Sequence, residues 1–149
     1  MIKKISLVFV FIIVFCGIFF IFKKINPSKE KIQLGGDIFY VDLADSNQKR
    51  FKGLSGRLEM KDQEGMLFVF DDYKSRSFIM RDMNFPLDIV WIRDDLVVGC
   101  QKNIAIFDEN GRFQVVHSGE PVNFVLELNA GSCDRLHINS ETRFDRTVK

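Results

Sequence analysis

Residues 65–92 read GMLFVFDDYKSRSFIMRDMNFPLDIVWI. Three short apolar runs stand out: Met66–Phe70, Ser77–Arg81 and Leu87–Ile92. Two polar breaks, Asp71–Arg76 and Asp82–Pro86, separate them. Runs of this length, rich in Phe, Ile, Val and Trp and bounded by Asp, Asn and Pro, read as β-strands. Their succession predicts one antiparallel meander at the centre of the fold.

Downstream the same pattern continues. Asp94-Asp95 makes a turn, and Leu96–Ile106 resumes as a strand with a break near Gly99. Asn110-Gly111 is a strong hairpin signal, after which Arg112–His117 returns. Val122–Asn129 alternates: Val122, Phe124, Leu126 and Leu128 share one face, with Asn123, Val125, Glu127 and Asn129 on the other. Ala130–His137 reads as a helical turn or loop, and Thr142–Asp145 as a closing strand. Upstream, Asp37–Leu43 reads as the first strand, with Phe39, Val41 and Leu43 on one side. Asp45 or Ser46 caps a short helix through Lys52, ended by Gly53, with Phe51 and Leu54 as its inward contacts. Many strands, few helical residues and 16 Phe predict a mainly β (α+β) fold. The expected form is a curled antiparallel sheet or small barrel with one or two short helices.

The amino-terminal segment is different. Ile5 to Phe22 is an 18-residue run without charge. As a helix it is about 27 Å long, close to the thickness of a hydrocarbon core. Lysine pairs flank it, and its end lacks the small residues of a cleavage site. Phe15 precedes Cys16 where a lipidation site needs a small residue. The segment therefore reads as an uncleaved transmembrane helix. The expected organisation is a membrane anchor over residues 1–24, a linker over 25–36 containing Pro27, Ser28, Gly35 and Gly36, and a β-rich globular domain over 37–149. Positive charge lies on both sides of the run and does not by itself orient it.

At 149 residues the chain suits one domain with something attached, and 46% hydrophobic with 28% charged residues is ordinary for a folded chain. Removing Lys3, Lys4, Lys23 and Lys24 leaves 17 basic against 20 acidic residues. A mildly acidic domain is a poor partner for nucleic acid, which needs clustered Lys and Arg.

From about Phe39 to Asp145 the chain resembles the domain of unknown function 192 family. The matching residues, in order, are Ala44-Asp45, Gly53-Leu54, Arg57, Gly65–Phe70, Ser77-Phe78, Met80, Pro86–Ile89 and Val125–Gly131. The sequence departs from the family pattern at Ser55, Ile79, Arg81-Asp82-Met83 and His137. The resemblance implies a small prokaryotic protein, usually exported or membrane-anchored, and tips the orientation toward an extracytoplasmic domain. It implies no particular activity.

Five charged residues form the candidate polar patch: Arg57, Arg81, Asp82, Asp88 and Glu127. Arg81 and Asp88 bracket a turn that brings them together across a strand pair, either as a salt bridge or as a grip on a small ligand. Asp88 shares a face with Val90 and Ile92, and Glu127 with Val125. An acid among apolar neighbours needs a hydrogen bond, a cation or a proton, and Arg57 is a candidate partner for either. Gly53-Leu54-Ser55-Gly56 misses the nucleophile-elbow spacing by one residue. His117 and His137 have no ligand at metal spacing, so neither a metal nor a cofactor is expected. Cys100 and Cys133 are expected as two separate buried thiols, since the family pattern does not call for them; a disulfide between them is the alternative open to an exported domain.

These features favour a membrane-anchored extracytoplasmic binding module for a small molecule, an envelope polymer or an envelope protein, with the membrane as partner through residues 5–22. The alternative is a carboxylate-dependent hydrolase or lyase of the cell envelope, with Asp88 and Glu127 converging in a pocket beside Arg57 or Arg81.

Overall fold

The structure, a computed structural model, describes residues 29–147. The apolar run over 5–22 and the first part of the linker lie outside the described residues. No helix among those described is long and apolar enough to cross a membrane.

Among the described residues, nine strands and two short helices follow one another. They are β1 (Glu30–Leu34), β2 (Asp37–Ala44), α1 (Asn47–Lys52), β3 (Glu64–Lys74), β4 (Ser77–Ile79), β5 (Leu87–Arg93), β6 (Leu96–Ile104), β7 (Val115–His117), β8 (Val122–Asn129), α2 (Ser132–Arg135) and β9 (Phe144–Asp145). Seven strands form one sheet in the order β6-β5-β8-β3-β2-β1-β9, and β4 pairs with β7 in a separate ribbon.

The three runs of the opening stretch are all strands, yet no two of them pair with each other. β8 lies between β3 and β5, and β4 leaves the sheet altogether. The burial pattern gives the reason. Six consecutive residues of β5, Leu87–Ile92, are buried, so this strand needs neighbours on both edges and cover on both faces. β4 is only three residues long, with Ser77 and Ile79 exposed, and suffices for the outer layer alone. The sheet is also not wholly antiparallel: β2 and β3 run parallel, Tyr40 opposite Glu64 and Ala44 opposite Phe68. The intervening segment with α1 is the crossover that a parallel pair requires.

The segment read as linker over 25–36 includes β1. Glu30–Leu34 pairs with β2 through a two-residue turn at Gly35-Gly36, with Gly35 at φ 61°. Such a turn needs left-handed backbone, which glycine adopts without strain. Helix α1 has the expected caps, with the Ser46 side chain accepting from the Lys49 N–H and Gly53 at φ 50°.

The sheet curls into a half-barrel. One apolar cluster draws residues from all seven strands, including Ile32, Phe39, Leu67, Val90, Val97, Leu126 and Phe144. A single face of an open flat sheet cannot gather both of its edges in this way. Residues 142–145 touch both edges: Leu34 pairs with Phe144 of β9, while Leu96 of β6 bridges Arg143. The Phe144 N–H donates to Asp95 O at 2.8 Å. Cys100 of β6 is bonded to Cys133 of α2, Cα–Cα 6.7 Å, which ties the helix to the sheet.

The opposite face carries a second cluster, with Phe68, Leu87, Ile89, Trp91 and Val125 from the sheet. Leu54, Met60, Met80 and Val116 cover it from the α1 loop and the β4–β7 ribbon. Trp91 is 2% exposed and meets the edge of Phe78, ring centroids 5.7 Å apart. Full burial of a side chain of this kind contributes roughly 1.5–3 kcal/mol. A cleft opens in this second layer.

Candidate functional site

Strand β8 sets the floor of the cleft. Val125 and Glu127 point to the second cluster, and Leu126 and Leu128 to the first. In register, Glu127 stands between Met66 of β3 and Ile89 of β5. It has no charged strand neighbour, and burial alone pushes its carboxyl up to about 8. At neutral pH it is a neutral acid that can donate a hydrogen bond. Its Oε2 atom is buried and has no hydrogen-bond partner.

Gly65 makes this floor possible. A Cβ there would lie 2.8 Å from the Glu127 backbone oxygen. The close approach of β3 to β8 therefore requires glycine at the head of the GMLFVF run.

The walls come from α1, β3, β4 and the loops that follow α1 and β4. They enclose about 480 Å³. Phe51, Phe68, Phe70, Phe78 and Met83 supply apolar surface, and Phe68 meets Phe78 edge-on at 4.7 Å. Four cations line the same space, Arg50, Lys52, Arg76 and Arg81, with Glu127 as the one acid among the lining residues. Phe70 carries two of the guanidiniums, Arg76 at 3.8 Å and Arg50 at 5.1 Å from its ring centroid, and Arg81 stacks on Phe51 at 4.3 Å. Such stacking holds the charges in place and leaves donor edges outward.

Several of these charges have partners. Arg76 pairs with Asp72, whose carboxyl the side chains of Lys74 and Arg76 hold down at about 2. Arg50 donates to Val69 O and Asn47 Oδ1, both at 2.7 Å. Arg76 Nε is nevertheless buried and without a partner. Of the five residues with such a buried side-chain atom among those described, two, Arg76 and Glu127, line this one cleft.

The five residues of the sequence-derived patch do not converge. Arg81 and Asp82 sit on the loop after β4, with Arg81 Nε 3.7 Å from Asp82 Oδ2. That loop is laced to the one after α1: Ser55 Oγ donates to Arg81 O, Gly56 N to Asp82 O, and Asn84 Nδ2 to Arg57 O. Arg57 turns to Asp42, 2.5 Å away, and serves neither Asp88 nor Glu127. Arg81 does not meet Asp88; its side chain donates to Phe51 O at 3.2 Å. Only Arg81 and Glu127 of the five line the cleft.

Asp88 belongs to the inner face. It is fully buried, and its two oxygens accept from Asn103 N and Cys133 N, each at 2.7 Å. It therefore fixes the end of β6 and the start of α2. Ile89, its neighbour, is the residue opposite Glu127, so Asp88 and Glu127 lie on opposite sides of the sheet. The two carboxylates that a hydrolase or lyase would bring together are not assembled. Asp88, Cys100 and Cys133 have ligand atoms within 4.8 Å of one another. Both sulfurs are bonded to each other and both oxygens are taken, which leaves no set of metal donors.

Sequence reasoning placed Phe51 as an inward contact of α1, but it is 73% exposed and lies at the cleft mouth. It also overlooked Arg50, Phe70 and Arg76. No local signal marked them, because Arg50 and Arg76 reach Phe70 from separate segments of the fold.

A family model for domain of unknown function 192, described as "Uncharacterized ACR", matches residues 30–145. The solved structures include a similar protein from Sinorhizobium meliloti 1021, named there as a candidate transcription regulator. It is 31% identical, with a TM-score of 0.71, over 79% of this chain and 93% of that one. A protein of unknown function from Novosphingobium aromaticivorans DSM 12444 is 28% identical, with a TM-score of 0.71, over 77% and 83% of the two chains. A search of curated proteins returns no match.

Proposed function

We propose that this chain, which belongs to the domain of unknown function 192 family, is a membrane-tethered extracytoplasmic module that binds a small molecule in the cleft beneath α1 and β4. The observation that carries this reading is that two residues with a buried, unpartnered polar atom, Glu127 (Oε2) and Arg76 (Nε), line one aromatic cleft. Buried polar groups in native proteins are nearly always hydrogen-bonded. Two exceptions in one cavity of ligand size are what a missing ligand would leave.

The extracytoplasmic location is supported by the Cys100–Cys133 disulfide, since such bonds persist in oxidising compartments. The tether is supported by the 18-residue apolar run over 5–22. The regulator description of the Sinorhizobium protein is not carried over, because the acidic balance of residues 25–149 gives no electrostatic footprint for nucleic acid.

Ligand-observed NMR with the full chain in detergent tests the binding reading. A panel of aromatic and aliphatic acids, amines and alcohols should include binders that Phe51→Ala, which removes an exposed aromatic wall of the cleft, weakens without shifting the unfolding midpoint. Binding that is indifferent to Phe51→Ala, or no binding by any of the panel, contradicts it.

A further inference from the structure

The charged groups that line the cleft are mostly donors, beside the neutral hydroxyls of Ser55, Ser75 and Ser77. Arg76 Nε–H has no acceptor. Lys52 and Arg81 stand on the wall, the latter sharing its guanidinium between Phe51 O and Asp82. Protonated Glu127 adds an O–H at the floor. Around the acid, β3 and β5 contribute Met66 and Ile89 in register. The cations that line the cleft are Arg50 and Lys52 from α1, Arg76 before β4 and Arg81 after it; Lys49 of α1 and Asp71 and Lys74 of β3 lie on the same elements outside the lining. Asp72 and Asp82 oppose them from behind, paired to Arg76 and Arg81. Four cations against two acids leave the mouth positive. Phe51, Phe68, Phe70 and Phe78 give the lining its flat aromatic surface.

We propose that the cleft takes a small molecule with a flat apolar body and one anionic group, a carboxylate or a phosphate ester, the anion meeting Arg81, Arg76 and Lys52. This rests on the cleft being the binding site and goes further by assigning the ligand's charge. Guanidinium geometry suits both anions, since each offers paired acceptor oxygens. The ring faces of Phe68 and Phe78 and the thioether of Met83 suit a planar body. An amine is disfavoured twice, by the cations at the mouth and by a floor acid that burial keeps neutral.

Ionisation of Glu127 adds a negative charge to the floor. Affinity for an anion should therefore fall as pH rises through about 8, and Glu127→Gln, which keeps a donor but cannot ionise, should not show that fall.

Four probes of one shape decide the matter: naphthoate, naphthyl phosphate, acetylnaphthalene and naphthylmethylammonium, each titrated into the full chain in detergent. At least one of the two anions should bind about tenfold tighter than the neutral ketone, the worth of one charge-assisted hydrogen bond. The ammonium should bind weakest. Arg81→Gln should remove most of the preference of the anions over the ketone. Carboxylate and phosphate arms reveal which anion fits better. Equal binding of all four probes, still weakened by Phe51→Ala, overturns the charge assignment and leaves the cleft standing as a site. Binding of none of them, or binding that Phe51→Ala leaves intact, overturns both.

Discussion

Two buried acids on neighbouring strands have opposite situations. Asp88 is satisfied, with a backbone N–H on each oxygen. Glu127 is unsatisfied and held neutral by burial. They should respond to substitution in opposite ways. Asp88→Ala leaves the N–H groups of Asn103 and Cys133 without acceptors and should cost about 3 kcal/mol in urea denaturation, with probe affinity unchanged. For Glu127 the folded-state value of about 8 lies above the ordinary 4.5. Between those values the unfolded chain ionises while the folded one keeps its proton. Stability is therefore greatest below 4.5, falls as pH rises, and levels off above about 8, a total loss on the order of 4 kcal/mol. Glu127→Gln should flatten that slope, as equilibrium unfolding across this pH range will show; an equally steep slope in the variant would place the titration elsewhere.

At the level of strands, the cleft depends on β3 lying close enough to β8 to form its floor. Gly65→Ala forces a Cβ to within 2.8 Å of the Glu127 carbonyl. It should destabilise the fold by about 2–3 kcal/mol and weaken probe binding, readable in one thermal and one binding titration. How far such elements can be read in a sequence depends on the range of the interactions that place them. The caps of α1, the turn at Asn110-Gly111 and the alternation of β8 from Phe124 to Leu128 are local, and stand where the residues put them; Val122, read on the face of Phe124, packs instead with Val125 in the second cluster. Strand order is not local. Met66–Phe70 and Leu87–Ile92 are apolar on both faces, and nothing in either run says that β8, some 30 residues later, lies between them. Gly35-Gly36 looks like a linker until a strand is found before it. The site was half legible for the same reason. Parity along β8 placed Glu127 opposite the inner core, whereas the packing of Arg76 and Arg50 on Phe70 joins three separate segments.

For the molecule as a whole, two features bear on where it works. The Cys100–Cys133 bond closes a loop with a sequence separation of 33. Reduction, or Cys133→Ser, should cost about 3–4 kcal/mol on the chain-entropy estimate, measured by denaturation with and without reductant. Little change would mean that α2 is held by packing and by Asp88 alone. If the run over 5–22 anchors the protein, the full chain should sediment with membranes after alkaline washing, while a chain beginning at residue 25 should remain in the supernatant. The curled sheet, the aromatic cleft and the outer ribbon all bear on one acid. The most direct measurement is therefore the side-chain carboxyl carbon resonance of Glu127, followed across pH in the full chain with and without naphthoate. A midpoint near 8 that rises when the anion binds is the predicted result. A midpoint near 4.5, unmoved by the anion, would contradict the account.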